Sequence, residues 1–125
     1  MRYLCMVFVD EDKLNALSSA ESQSLDDESL AYNETLREGG HLVAAQALES
    51  VHAATVVRVR NGKVTVTDGP FAETHEQIGG FILIEAKDLN EAIQLASKIP
   101  PIRLGGIEVR LIKELIASSD RRQEK

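Results

Sequence analysis

Tyr3-Leu4-Cys5-Met6-Val7-Phe8-Val9 contains no charged or strongly polar position. A strand with one wet face alternates apolar and polar residues; a strand buried on both faces does not. This run therefore predicts a strand at the centre of a sheet. A second such run, Phe81-Ile82-Leu83-Ile84, follows Gly79-Gly80. Two doubly apolar strands require a sheet that is covered on both sides.

Working outward, Asp10 to Leu17 has no regular pattern. Ser18-Ser19-Ala20-Glu21 fits a capping box, in which a hydroxyl caps the first turn and a Glu three residues on reaches back. The helix it opens runs to about Glu38, with Leu25, Ser29, Tyr32 and Leu36 on its inner stripe, and Gly39-Gly40 ends it. His41 to Leu48 is a strand candidate. Ala54 to Arg60 and Lys63 to Thr67 are strands joined at Asn61-Gly62, a pair suited to the positive φ values of a tight hairpin turn. Asp68-Gly69-Pro70 stops the return strand, and a polar connection runs from Phe71 to Gln77. Asp88 caps a second helix with Ala92, Ile93, Ala96 and Ile99 inward, and Pro100-Pro101 terminates it. Ile107, Val109 and Leu111 alternate with Glu108 and Arg110 in a last strand.

The order β-α-β-β-β-β-α-β predicts an α+β fold: a ferredoxin-like sandwich with an added β-hairpin. One domain spans residues 1–117, and a polar, frayed tail spans 118–125. Such a sandwich covers only one sheet face with helices. The other face of the two apolar strands would be wet in a monomer, exposing more apolar surface than soluble proteins usually carry. A second copy packed sheet to sheet removes that exposure, so the patterning predicts a homodimer.

Composition narrows the function. The net charge is −6, with 20 acidic and 14 basic residues, so the electrostatic footprint of a phosphate-backbone binder is missing and nucleic acid is not an expected partner. Aromatics are 4% of the chain, too few for base-stacking platforms. The single cysteine, Cys5, forms no intrachain disulfide and sits in an apolar run, where burial leaves it inert. No apolar run reaches the ~20 residues of a membrane span, and acidic Asp10-Glu11-Asp12 follows the first apolar run where a signal peptide would need a cleavage site. No membrane partner is expected and the cytoplasm is the expected compartment. No phosphate-loop pattern occurs, His41, His52 and His75 are too far apart for a local metal motif, and no cofactor or metal is expected.

Residues 67–86 read TDGPFAETHEQIGGFILIEA. The run Asp68-Gly69-Pro70-Phe71, then Ala72-Glu73-Thr74, Glu76-Gln77 and Gly79-Gly80-Phe81, resembles the signature of the YCII-related family in its DGPF branch. The similarity extends through Asp88–Pro100 and Gly106–Arg110. It implies a dimeric α/β barrel, in agreement with the patterning. In the wider group a first-helix His pairs with an Asp in a proposed catalytic dyad. Here no His lies between Asp10 and Gly40, and the corresponding helix position falls near Ser29. The branch also commonly has Lys where this chain has His75. The resemblance implies a fold and a place to look, not a reaction.

That place is the end of the return strand. Asp68 is the leading catalytic candidate, with His75 as its partner, because a carboxylate beside an imidazole can move a proton near neutral pH. The structural alternative is an Asx-turn, with the carboxylate accepting a downstream backbone N–H. Gly69 and Pro70 shape the backbone there. Phe71 walls a pocket or packs in the core, Glu73 adds a carboxylate, and His75 is otherwise a solvated surface residue. Arg110 would suit an anionic small molecule if it enters a cleft, and a solvated strand face otherwise. Two functions stay open: a homodimer binding a small molecule near Asp68, or a cofactor-independent lyase, isomerase or hydrolase with Asp68 as acid/base.

Overall fold

The chain runs β1 (Arg2–Asp10), α1 (Glu11–Asn15), α2 (Ser19–Glu38), β2 (Leu42–Ala47), β3 (Thr55–Arg60), β4 (Lys63–Asp68), β5 (Glu76–Glu85), α3 (Leu89–Ala96) and β6 (Gly105–Leu111). This computed structural model describes residues 1–118, so the expected tail lies outside the described residues from position 119 on. The four-stranded sheet has the order β2-β5-β1-β6, and every neighbouring pair is antiparallel. The two doubly apolar runs thus occupy the two inner strands. The hairpin β3–β4 forms a separate two-stranded sheet. The architecture is mixed α+β with antiparallel sheets, and the sheet of one chain is open, with β2 and β6 at its edges.

One face of the inner strands carries Tyr3, Cys5, Val7 and Val9 of β1 and Ile82 and Ile84 of β5, all buried. Leu25 and Leu36 of α2 and Ala92 and Ala96 of α3 complete that core, with Ile99 and Leu104 beyond α3. Each large aliphatic side chain buried this way contributes ~1.5–3 kcal/mol. The opposite face presents Leu4, Met6 and Phe8 of β1 and Phe81 and Leu83 of β5, all only half-buried. The cover that these strands require is therefore present on one side of the chain and incomplete on the other.

Local signals explain the element ends. Ser18 and Glu21 form the reciprocal capping box at the start of α2. Asp88 accepts the N–H of Glu91 at the start of α3. Asn61 and Gly62 adopt φ 52° and 75°, the doubly left-handed turn that the hairpin requires.

Four local expectations are corrected. Residues 11–15 form a short helix, because the Asp10 carboxylate accepts the N–H groups of Asp12 and Lys13. β5 starts at Glu76, since Gly79 is absorbed as a bulge between the pairs Val7–Gly80 and Phe8–Ile78. Ile93 is 51% exposed; Ala92 and Ala96 make the contact of α3 with the sheet. Phe71 is 76% exposed and outside the core, with the Arg58 guanidinium 4.6 Å above its ring.

Gly80 marks the tightest strand contact that shapes the cleft described below. A Cβ there would lie 2.8 Å from the Gln46 carbonyl oxygen and 3.3 Å from the Ala47 Cα. Both are backbone atoms of β2 and cannot rotate away. Gly80→Ala should therefore displace β2 and lower stability by ~1–3 kcal/mol, as overpacking does, measured by urea denaturation.

Candidate functional site

A cavity of about 540 Å³ opens between α2 and the helix-covered face of the sheet, on the side of edge strand β2. Pockets of this size accept small organic molecules. Its floor is apolar: Val7 and Val9 of β1, Ala45 of β2, Ile82 of β5 and Leu25 of α2. Asp26, Ser29 and Asn33 overhang it from α2 at helical spacing, while Glu11, Glu49 and Ser50 rim the opposite side. The space exists because the facing residues are small. Gly79 and Gly80 put no side chain into it, and Ala45, Ala47 and Ser29 put in little.

The rim is tied. The Glu11 carboxylate accepts the Ser50 hydroxyl at 2.7 Å and the Val51 N–H at 2.9 Å. These bonds hold α1 against the segment after β2. They also keep the Glu11 carboxyl below its usual range, the Val51 N–H having the larger effect and the Ser50 hydroxyl the next. Ser29 donates its hydroxyl proton to the Leu25 carbonyl at 2.8 Å. Tyr32 donates to the Leu95 carbonyl at 2.6 Å and so joins α2 to α3. Burial pushes the Cys5 thiol up to about 11, so it is protonated and inert at neutral pH.

Asp68 lies elsewhere. It is the exposed last residue of β4, paired across the hairpin with Thr55, and is not among the residues lining the 540 Å³ cavity. The alternative, an Asx-turn, is not formed among the described residues: the Gly69 N–H donates across the hairpin base to the Ala54 carbonyl at 2.8 Å, and no backbone N–H donates to the Asp68 carboxylate. Glu73 and His75 are exposed, and no hydrogen bond joins either to Asp68 among the described residues. Gly69 and Pro70 are half-buried at the hairpin base. Arg110 stands on the helix-free face of β6, opposite Leu4, with its guanidinium engaged by Glu108.

The hairpin base and the cavity are nonetheless close along the chain. Ala54 is four residues beyond Ser50 on the rim, and β5, which starts a few residues after Phe71, supplies Gly79 and Gly80. The residues that line the cavity come from five separate segments, so no local motif marks them. The signals in the sequence were Ser29, a polar residue on an otherwise apolar helix stripe, and Gly79-Gly80, a pair that allows close backbone approach. Among the described residues no group of three His, Cys, Asp or Glu side chains is placed to hold a metal, and no helix is long and apolar enough to cross a membrane.

Fold and cleft together define a small α+β domain built on a four-stranded antiparallel sheet with helices on a single face and a separate two-stranded hairpin. The chain belongs to the YCII-related domain family, which it matches over residues 1–116. It is similar to an uncharacterized protein of Rhizobium meliloti (strain 1021), at 34% identity over 112 residues that cover 88% of this chain and 90% of that protein.

The Glu11 tie has a pH signature. Its folded-state pKa lies below the ordinary 4.5, so its stabilisation is complete above that value and is lost as pH falls through the lower folded value. Glu21 and Glu85 are lowered in the same direction by their own hydrogen bonds. Glu11→Gln should therefore be less stable than the parent at pH 7. Its stability should also fall less steeply on acidification below about pH 4.5, with a residual slope from the other two, in denaturant titrations across pH.

Proposed function

We propose that this protein is a homodimer that binds a small organic molecule in the cleft between α2 and the sheet. The 540 Å³ cavity with an apolar floor and a tethered polar rim carries this reading. Binding sites of small ligands combine these features: a largely apolar wall and a few polar groups that orient the occupant. The ligand site thus moves from Asp68, where the sequence motif pointed, to the cleft beneath α2. The motif Asp68-Gly69-Pro70-Phe71 supports placing the chain in the DGPF branch of its family, and its role is to turn the chain from the hairpin into β5.

A ferredoxin-like sandwich is supported by the strand order β2-β5-β1-β6 once the hairpin is set aside. Dimerisation is supported by two uncovered apolar surfaces. One is the helix-free face with Leu4, Met6, Phe8, Phe81 and Leu83. The other is a face of the hairpin. Val57 pairs with Val66 and Val59 with Val64, and these four side chains are 63–66% exposed. A lone two-stranded hairpin is marginal in water, so a flat valine face needs a partner surface. A second copy would complete both faces and give two sheets facing each other in a barrel-like dimer.

The ligand reading is tested by a metabolite screen read by thermal shift on the parent, Ala45→Phe and Asp68→Asn. Ala45→Phe fills the floor and should abolish the response while keeping the fold. Asp68→Asn should leave the response within about twofold, since its charge lies outside the cleft. Loss of response in Asp68→Asn alone would restore the reading of Asp68 as acid/base in a cofactor-independent reaction. The dimer is tested by light scattering, which should give a mass near twice 13.7 kDa at micromolar concentration. Leu83→Asp should dissociate it, because an unpaired charge in a buried interface is costly. Val66→Lys, exposed in the single chain, should weaken it without lowering the stability of the monomer.

A further inference from the structure

The cavity's chemistry also specifies the kind of molecule it takes, an inference that rests on the ligand reading above. We propose that the cleft selects a small molecule with an apolar body and a protonated amine. Among the described residues the ionisable side chains that line it are Glu11, Asp26 and Glu49, all carboxylates, and no Lys, Arg or His lines it. An anionic group entering the cleft would face three like charges and no cationic side chain among the lining residues. A cation would face the reverse.

Hydrogen-bonding capacity points the same way through a different residue. Ser29 has one proton, and that proton is committed to the Leu25 carbonyl. Toward the cavity the Ser29 oxygen therefore offers only lone pairs. Glu11, with both oxygens already accepting from Ser50 and Val51, still has lone pairs and no proton to give. An ammonium group, with three donors and no acceptor, complements these oxygens; the amides of Asn15, Asn33 and Gln46, which also line the cleft, donate or accept and do not discriminate by charge, so the preference rests on the carboxylates. The apolar floor of Val7, Val9 and Ile82 then holds the rest of the molecule. Arg110 is paired with Glu108 on the opposite sheet face and Arg58 is stacked on Phe71 at the hairpin, while His52 stands close enough to Glu11 to act on its carboxylate without lining the cleft. An anionic ligand, the preference that Arg110 suggested from sequence, is thus the disfavoured class for this cleft.

Three probes with one apolar body separate the possibilities: phenethylammonium, phenethyl alcohol and 3-phenylpropionate, each titrated into the full chain by NMR at low salt. The ammonium should bind about fivefold or more tightly than the carboxylate, the scale of a partly exposed ion pair. The alcohol should fall between them, and the gap should shrink as salt is raised. The double variant Asp26→Asn, Glu49→Gln, with its fold checked by circular dichroism, should lose most of the difference and leave the alcohol unchanged. Equal or tighter binding of the carboxylate, abolished by Ala45→Phe, would overturn the charge preference and leave the cleft as the ligand site. Failure of all three probes to bind, or binding that survives Ala45→Phe, would overturn the cleft reading and this inference with it.

Discussion

Burial of one face of β1 and β5 beneath α2 and α3 is the constraint on which the rest of the structure depends. Cys5 and Ala92 are fully buried, and Ile84 and Leu36 nearly so, so the contact between helices and sheet is tight at its centre. Few polar groups interrupt that contact, and those that do are satisfied: the Tyr32 hydroxyl meets a backbone carbonyl of α3. With the helices anchored there, β5 and β1 have nowhere to turn their other face. Leu4, Met6, Phe8, Phe81 and Leu83 point away from the helices because strand geometry alternates side chains. The asymmetry between the two faces is therefore built into the covalent order of residues.

The same contact loosens toward β2. At the centre of the sheet large aliphatic residues face the helices; at the β2 side the facing positions are Ala45, Gly79 and Gly80, with Ser29 above them. Protein interiors are close-packed, so a set of small residues opposite one another leaves a void unless something fills it. Here the void opens to solvent at a rim held by Glu11, Ser50 and Val51. A change in side-chain size along one helix and two strands thus converts a core interface into a cleft. The rim carboxylates, which would be costly in a closed core, are acceptable because the cleft is open. Gly80 serves both purposes: it permits the close approach of β2 and leaves the cleft floor clear.

The parts of the fold that follow from short-range rules were legible in the sequence. The doubly apolar runs placed β1 and β5 at the centre of the sheet, Ser18 and Glu21 marked the start of α2, and Asn61-Gly62 set the hairpin. What failed needed tertiary context. Gly79-Gly80, a pair that allows close backbone approach or a bulge, does form the bulge, but β5 extends back beyond it to Glu76, where the sequence showed only a polar connection. Ile93 fitted the inner stripe of α3, but the helix is rolled so that its two alanines meet the sheet. Phe71 read as core or pocket wall because it is a large ring; it lies at the surface instead, with the Arg58 guanidinium over its ring. The candidate cleft was the least legible part. Sequence motifs advertise residues that are adjacent in the chain, and Asp68-Gly69-Pro70-Phe71 is such a run. The cleft is assembled from α1, α2, β1, β2 with the residues after it, β5 and the segment after α3, and these stretches become neighbours only through the fold. The family assignment was legible because it depends on that same local run and on strand patterning.

The central claim is that the working surface of this protein is the cleft beneath α2 and not the hairpin end at Asp68. Methyl-selective NMR during titration with phenethylammonium tests it most directly, because the two regions carry different methyl groups. The account predicts shifts confined to Val7, Val9, Leu25 and Ile82, with Val57, Val59, Val64 and Val66 of the hairpin unmoved. Shifts that cluster instead at Val56 and Val66, at the Asp68 end of the hairpin, with the cleft methyls silent, would contradict it.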